Sequence, residues 1–209
     1  MKEYGKISET KVYVVETLVV GTGASGLNAA DLLYKGGAKD IAIITEGIKS
    51  GTSRNTGSDK QTYYKLSLSG DDKDSVRDLA QDLFNGGCVD GDVALVEASL
   101  STPSFLRLVE LGVPFPTNRY GEYVGYKTDH DPHRRATSAG PYTSRFMTER
   151  LEAEVIKDGV EILDGYQLVR RLTLGGEVRG AVFIERKNGK PIVILCRNLI
   201  LATGGPAGI

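Results

Sequence analysis

Gly21, Gly23 and Gly26 in "TLVVGTGASGLNAADLLYKGG" (residues 17–37) form the pattern G-x-G-x-x-G. The all-apolar run Leu18-Val19-Val20 precedes it. Such a run suits the centre of a parallel sheet, where both faces are buried. After it, Leu27, Ala30, Leu33 and Tyr34 recur at helical spacing from Ala24 to Lys35, and Gly36-Gly37 supplies a stop. "IAIIT" (41–45) reads as a second buried strand. Parallel strands need a crossover helix, so these pieces predict a βαβ unit opening on a glycine loop.

Each glycine has its own task in such a loop. Gly21 permits the tight turn leaving the strand, Gly23 admits a pyrophosphate to the backbone, and Gly26 lets helix and strand pack closely. Ala24 and Ser25 lie between them at the helix start, where amide N–H groups and the helix dipole favour an anion. Ser25 is not a hydrolase nucleophile, because G-x-S-x-G would need glycine at position 27, which is Leu27. Glu46 ends the second strand, 20 residues beyond Gly26. A carboxylate there accepts hydrogen bonds from ribose hydroxyls and repels a 2′-phosphate. NADP is therefore disfavoured, and NAD and FAD both remain open.

Composition narrows the class further. The 209 residues carry 26 basic and 27 acidic side chains, a balance that offers no general attraction to nucleic acid. No apolar run reaches the length of a membrane span, and the polar lead (1–11) has no signal-peptide core. Cys88 and Cys196 match no metal or redox spacing and are expected as reduced core thiols. A cytoplasmic setting follows as an expectation. His130 and His133 stand i, i+3 in "DHDPHRR", but Pro132 breaks any helix and no cysteine joins them, so no metal site is expected. Arg134 and Arg135 read as ion-paired residues, with contact to an anion as the functional alternative.

The remaining chain predicts a long polar connection over 47–74, then helices over 75–85 and 92–111. Pro103 predicts two helices or a kink in the second of these. An irregular excursion over 112–142 leads to a helix over 143–157, roughly one-sided through Phe146, Leu151, Val155 and Ile156. Short β runs follow at 160–163, 166–173, 178–185, 191–196 and 198–202. The order is a βαβ unit, a helical insert, a β meander and a returning strand: an α/β fold with additions. The Tyr63-Tyr64 pair reads as packing.

"VVGTGASGLNAA", the Ser/Thr-Gly segment "SGTSRNTGSDKQ" (50–61), "VDGDVALVEASLSTPSFLRLVELGVPF" and the closing "NLILATGG" occur in order. Together they resemble the flavoprotein subunits of succinate dehydrogenase and fumarate reductase, a family that includes L-aspartate oxidase. The resemblance runs from about Thr17 to Gly205. It implies a Rossmann-like FAD-binding domain, with FAD as cofactor. Its pyrophosphate would lie at Gly21–Gly26, and Thr52, Ser53 and Gly57 would face the pyrophosphate or flavin. Backbone groups around Leu168 and Val169 would meet adenine, and Ala202, Thr203 and Gly204 would pass near the cofactor. The family's covalent flavin histidine stands in a Ser-His-Thr run, matched here by Ser50-Gly51-Thr52, so non-covalent FAD is expected. The family also implies a small, anionic substrate, hydride transfer and an electron-transfer partner subunit. By this resemblance residues 1–209 correspond to the N-terminal part of the FAD domain. The capping domain and all catalytic residues lie in family segments beyond it. A dinucleotide-binding module or electron-transfer subunit without chemistry of its own is the alternative reading.

Overall fold

A computed structural model describes residues 1–205 apart from Ser8, Asp59, Lys60 and Asp71. In chain order the elements are β1 (Lys2–Ile7), β2 (Thr10–Val20), α1 (Ala24–Lys35), β3 (Ile41–Thr45), α2 (Thr52–Asn55) and β4 (Tyr63–Tyr64). They continue with α3 (Val76–Asn85), α4 (Gly91–Glu110), β5 (Ala136–Thr137) and α5 (Thr143–Lys157). The last four are β6 (Glu161–Asp164), β7 (Tyr166–Leu174), β8 (Glu177–Glu185) and β9 (Pro191–Leu201). The chain divides into two units, one of residues 1–56 with 151–209 and one of 57–150.

The first unit is built on one sheet in the order β6-β3-β2-β9-β8-β7. β2 is its axis. One flank pairs in parallel with β9 from Lys11 to Val20, and the other pairs with antiparallel β1 below and parallel β3 above. Leu18 and Val20 share one face of the upper sheet with Ala42 and Ile44, by strand alternation. These meet Ala181, Phe183, Ile192 and Ile194 of the meander in one buried core. Val19, Ile41 and Ile43 point the other way and are also buried, in the strands that α1 packs against. Burial on both faces is why these strands read as continuous apolar runs.

α1 presents Leu27 and Ala30 to this core, each worth roughly 1–3 kcal/mol or less by side-chain size when buried. It ends in a Schellman motif. Gly37 N–H donates to Tyr34 O (3.1 Å) and Ala38 N–H to Leu33 O (3.0 Å), with Gly37 at φ +104°. The expected βαβ unit is thus present, its helix and second strand with the expected bounds and its first strand, read as 12–20, beginning at Thr10.

Several local expectations need correction. The polar lead is not a tail, because residues 2–7 form β1 against β2. β9 is one strand through residues 191–201, since Cys196 and Asn198 keep their places beside Val15 and Thr17 of β2 although Arg197 and Asn198 interrupt the apolar pattern. α4 is one helix, Gly91–Glu110, with Pro103 inside it, so the two-helix alternative falls. That proline is exposed, so the carbonyl one turn back loses its N–H partner where water can replace it. Cys196 is buried as expected, and burial pushes its thiol pKa up. Cys88 is exposed instead, because Gly86 and Gly87 turn the chain outward after α3.

The second unit holds α3 and α4, the β4–β5 pair and an aromatic core. Ser75 caps α3 by accepting from Asp78 N–H (3.1 Å), and Asp90 caps α4 through Asp92 and Val93 N–H. Tyr63, Phe105 and Phe115 pack ring to ring at 4.8–5.9 Å. Beside them Arg135 is ion-paired, as expected, but fully buried. Its guanidinium meets Asp74 (2.9 and 2.7 Å), Asp82 (2.6 Å) and Asp131 (3.3 Å). Asp72 accepts from Arg134 N–H and pairs with His133 Nδ1 at 3.0 Å.

These contacts set the acid response of the second unit. The Arg134 N–H and then His133 hold the Asp72 carboxyl well below its ordinary pKa of 3.8. For Asp74, burial pushes upward most strongly, but the Arg135 hydrogen bonds and charge together with the Ser67 and Ser75 N–H groups outweigh it, so its pKa is also lowered. A carboxyl depressed by folding stabilises the protein above its ordinary pKa, and that stability is lost as pH falls. Tyrosine fluorescence should therefore report loss of this unit's packing as pH falls below about 4. An unchanged signal down to about pH 2 would refute the linkage. Replacing Arg135 with Ala strands buried carboxylates and should cost about 3–5 kcal/mol in urea unfolding.

Candidate dinucleotide site

A cleft of about 730 Å³ opens in the first unit where β2, β3 and β9 end. All three are mutually parallel at this end, and the chain switches from the β3 side of β2 to the β9 side there. Open α/β sheets bind ligands at such a switch point, outside the carboxyl ends of the strands.

The loops after β2 and β9 touch closely. Gly21 has φ +109°, and a Cβ there would lie 2.3 Å from Ala202 O. Ala202 N–H in turn donates to Val20 O at 2.8 Å. A Cβ on Gly26 would lie 2.1 Å from Gly21 O, so helix and loop meet only because both residues are glycines. Gly23 differs. Its nearest neighbour would be Ser53 Oγ at 3.4 Å, an ordinary contact, so the fold itself leaves room for a side chain. The space beside Gly23 belongs to the cleft.

Gly23 is the N-cap of α1 and offers no side-chain cap. Ser53 substitutes from another segment, its Oγ accepting from Ala24 N–H at 3.3 Å. The other first-turn N–H groups have no intrahelical partner and can meet an anion. α2 is carried close by Gly51, where a Cβ would lie 3.7 Å from Gly23 N and Cα. Thr22 and Thr45 join the ends of β2 and β3 by a buried hydroxyl pair at 3.0 Å.

Of the sequence-derived residues, Gly21, Gly23, Ala24, Ser25, Glu46, Thr52, Ser53, Leu168, Ala202, Thr203 and Gly204 line this cleft. Gly26 lies beneath it, supporting Gly21. Val169 is not in the lining, and a register shift between Leu168 and Arg170 marks a bulge at its position in β7. Gly57 is not in the lining either and belongs to the second unit, beside Pro141 and Tyr142. Sequence reasoning passed over Thr22, Thr45, Ser50, Gly51 and Tyr166. Tyr166 was legible as the i−2 neighbour of Leu168 on one face of a strand. The threonine pair had no local signal, because it depends on strand register.

Charge in the cleft is one-sided. Among the described lining residues Glu46 carries the only full charge, and no Lys or Arg is present. Glu46 is exposed, and its carboxylate makes no hydrogen bond or ion pair among the described residues. The site therefore offers an anion only backbone N–H groups, hydroxyls and the α1 dipole, and it offers a hydroxyl donor a free carboxylate. That combination suits a pyrophosphate flanked by an unphosphorylated ribose.

Residues 16–208 match the model of the FAD binding domain family. The chain belongs to that family. A subunit of the fumarate reductase (CoM/CoB) of Methanothermobacter marburgensis is 28% identical over 205 residues, which is 96% of this chain and 37% of the relative. The chain thus spans little more than a third of the length of that curated relative. Among solved structures, E. coli quinol fumarate reductase superposes with a TM-score of 0.78 at 21% identity, over 93% of this chain and 33% of that one. Sdh1 of Mycobacterium smegmatis gives 0.82 at 16% identity, over 93% and 34%. A 3-ketosteroid dehydrogenase from Rhodococcus jostii RHA1 gives 0.76 at 19% identity, over 98% and 48%. The expected FAD-binding fold is borne out, with FAD as the family's cofactor. Among the described residues no helix is long and apolar enough to cross a membrane.

The glycine geometry separates folding from binding. Gly23→Ala should leave the free energy of urea unfolding within about 1 kcal/mol of the parent, since its Cβ meets nothing closer than an ordinary contact. Flavin retained after gel filtration should nonetheless fall sharply. Gly26→Ala should destabilise the fold itself, because its Cβ would strike backbone. Equal flavin retention in Gly23→Ala and the parent would remove that residue from the site.

Proposed function

We propose that this cleft holds FAD non-covalently and that the whole protein is an oxidoreductase acting on a small anionic substrate. The observation that carries the reading is the pairing of an open glycine face at the α1 N-terminus with a solitary carboxylate at Glu46. When bound, the isoalloxazine supplies a hydride acceptor and donor. Everything else is done by the chain. First-turn N–H groups and the hydroxyls of Thr52 and Ser53 receive the pyrophosphate, and Glu46 accepts from the adenosine ribose. Tyr166 and Leu168 offer adenine an apolar wall. Ala202, Thr203 and Gly204 line the route towards the flavin.

Ser50-Gly51-Thr52 offers no imidazole for a flavin bond, and His130 and His133 belong to the second unit. We assign no catalytic residue to residues 1–209 and place substrate capture in a capping domain supplied by the remainder of the protein. The 37% coverage of the fumarate reductase relative supports this division. That relative is one subunit of its reductase, which supports an electron-transfer partner for this protein as well.

Acid precipitation tests the cofactor assignment. FAD should leave in the supernatant with flavin absorbance, and a flavin-labelled peptide in the pellet would overturn it. Glu46→Ala should weaken FAD binding by about 1.5–3 kcal/mol, the usual cost of a charged hydrogen bond. Unchanged affinity by titration of the stripped protein would take Glu46 out of the site.

A further inference from the structure

Glu46 directly follows β3 on the rim of the cleft, and its side chain is not tethered among the described residues. An exposed carboxylate can select a ribose hydroxyl only if something fixes its backbone. Two residues of the meander do so. Arg186 Nη1 donates to Glu46 O at 3.2 Å, and Asp164 Oδ1 accepts from Ile48 N–H at 2.9 Å. Arg186 is itself anchored, its N–H donating to Gly165 O at 2.8 Å.

We infer that Arg186 and Asp164 are positioning residues that fix Glu46 for recognition of the ribose hydroxyls, an inference that rests on Glu46 as ribose acceptor. The chemistry of the contact favours this role. A guanidinium aimed at the carboxylate would occupy its lone pairs and compete with sugar hydroxyls. Here it takes the main-chain carbonyl instead and leaves the carboxylate oxygens free to accept. Asp164 holds the very next peptide unit through Ile48 N–H, so the chain leaving Glu46 is held at two successive peptide units. Both clamps come from segments far away in sequence, with separations of 140 and 116 residues. The meander is thus part of the selectivity of the site as well as its wall.

The test compares ADP with 2′-deoxy-ADP by calorimetry on the cofactor-stripped full-length protein. The parent should prefer ADP by on the order of tenfold, the weight of one charged hydrogen bond. Glu46→Gln should lose most of that preference. Arg186→Ala should reduce it to within about threefold, Arg186→Lys should restore part of it, and Glu46→Gln/Arg186→Ala should be no worse than Glu46→Gln alone. A merely structural role would weaken both nucleotides equally and leave their ratio unchanged. Should Arg186→Ala fail to fold by thermal denaturation, Asp164→Ala, which removes the acceptor of Ile48 N–H, carries the same expectation. Full preference in the Arg186 or Asp164 variants, beside its loss in Glu46→Gln, overturns the inference. Full preference in Glu46→Gln overturns the underlying reading of Glu46 instead.

Discussion

The contact on which the first unit depends is the approach of Gly21 to the carbonyl of Ala202, where a Cβ would sit 2.3 Å from oxygen. It brings the loops after β2 and β9 together at the point where the chain switches sides of the sheet. Gly26 then packs on the Gly21 carbonyl with the same intolerance. Two of the three motif glycines are therefore demanded by the protein itself. The third is not, and this asymmetry is the physical mark of a ligand site: a backbone surface kept bare with no protein atom close enough to require it.

Electrostatics follow from that geometry. A pyrophosphate could be held by lysines or arginines, but none lines this cleft among the described residues. The helix dipole and the unpaired first-turn N–H groups must do the work, and they act strongly only at short range and low dielectric. Close approach to Gly23 is thus required by the electrostatics as much as by shape. The same lack of cations leaves Glu46 uncompensated inside the site, which makes a second phosphate beside it unfavourable. Positive partial charge at one end and full negative charge at the other give the cleft a polarity along its length.

How much of this was legible depends on how local each signal is. The β2–α1–β3 unit, its three glycines and Glu46 all follow from spacing within roughly thirty residues, where period and turn chemistry agree. Helix α5 matched for the same reason, with residues 143–157 read and found. At Pro103 the two-helix alternative failed because the carbonyl left without an N–H partner lies on an exposed face of α4, where water can replace it. Cys88 misled because cysteine is usually buried and the preceding glycines outweighed that tendency. β1 and the continuity of β9 rest on pairing with β2, which no local pattern reports. Thr22 with Thr45, Arg186 with Glu46 and Asp164 with Ile48 are of this second kind. Strand register creates them, and a single sequence does not display register.

The cleft draws its walls from residues 20–53 and 166–205, two stretches separated by the whole second unit. Any ligand spanning Gly23, Glu46 and Leu168 therefore bridges segments that are brought together only in the folded state. The unfolded chain has no such site, so binding energy adds directly to stability. At a free cofactor concentration about a hundredfold above Kd that addition is about 2.7 kcal/mol. It exceeds the worth of a single buried aliphatic side chain of moderate size. On the proposed assignment FAD would act on this unit as an additional core element, with polar contacts where the glycine loop is bare and apolar ones at β7. The meander would gain most from this coupling, because it lines the cleft with Tyr166 and Leu168 and also holds the Glu46 carbonyl through Arg186.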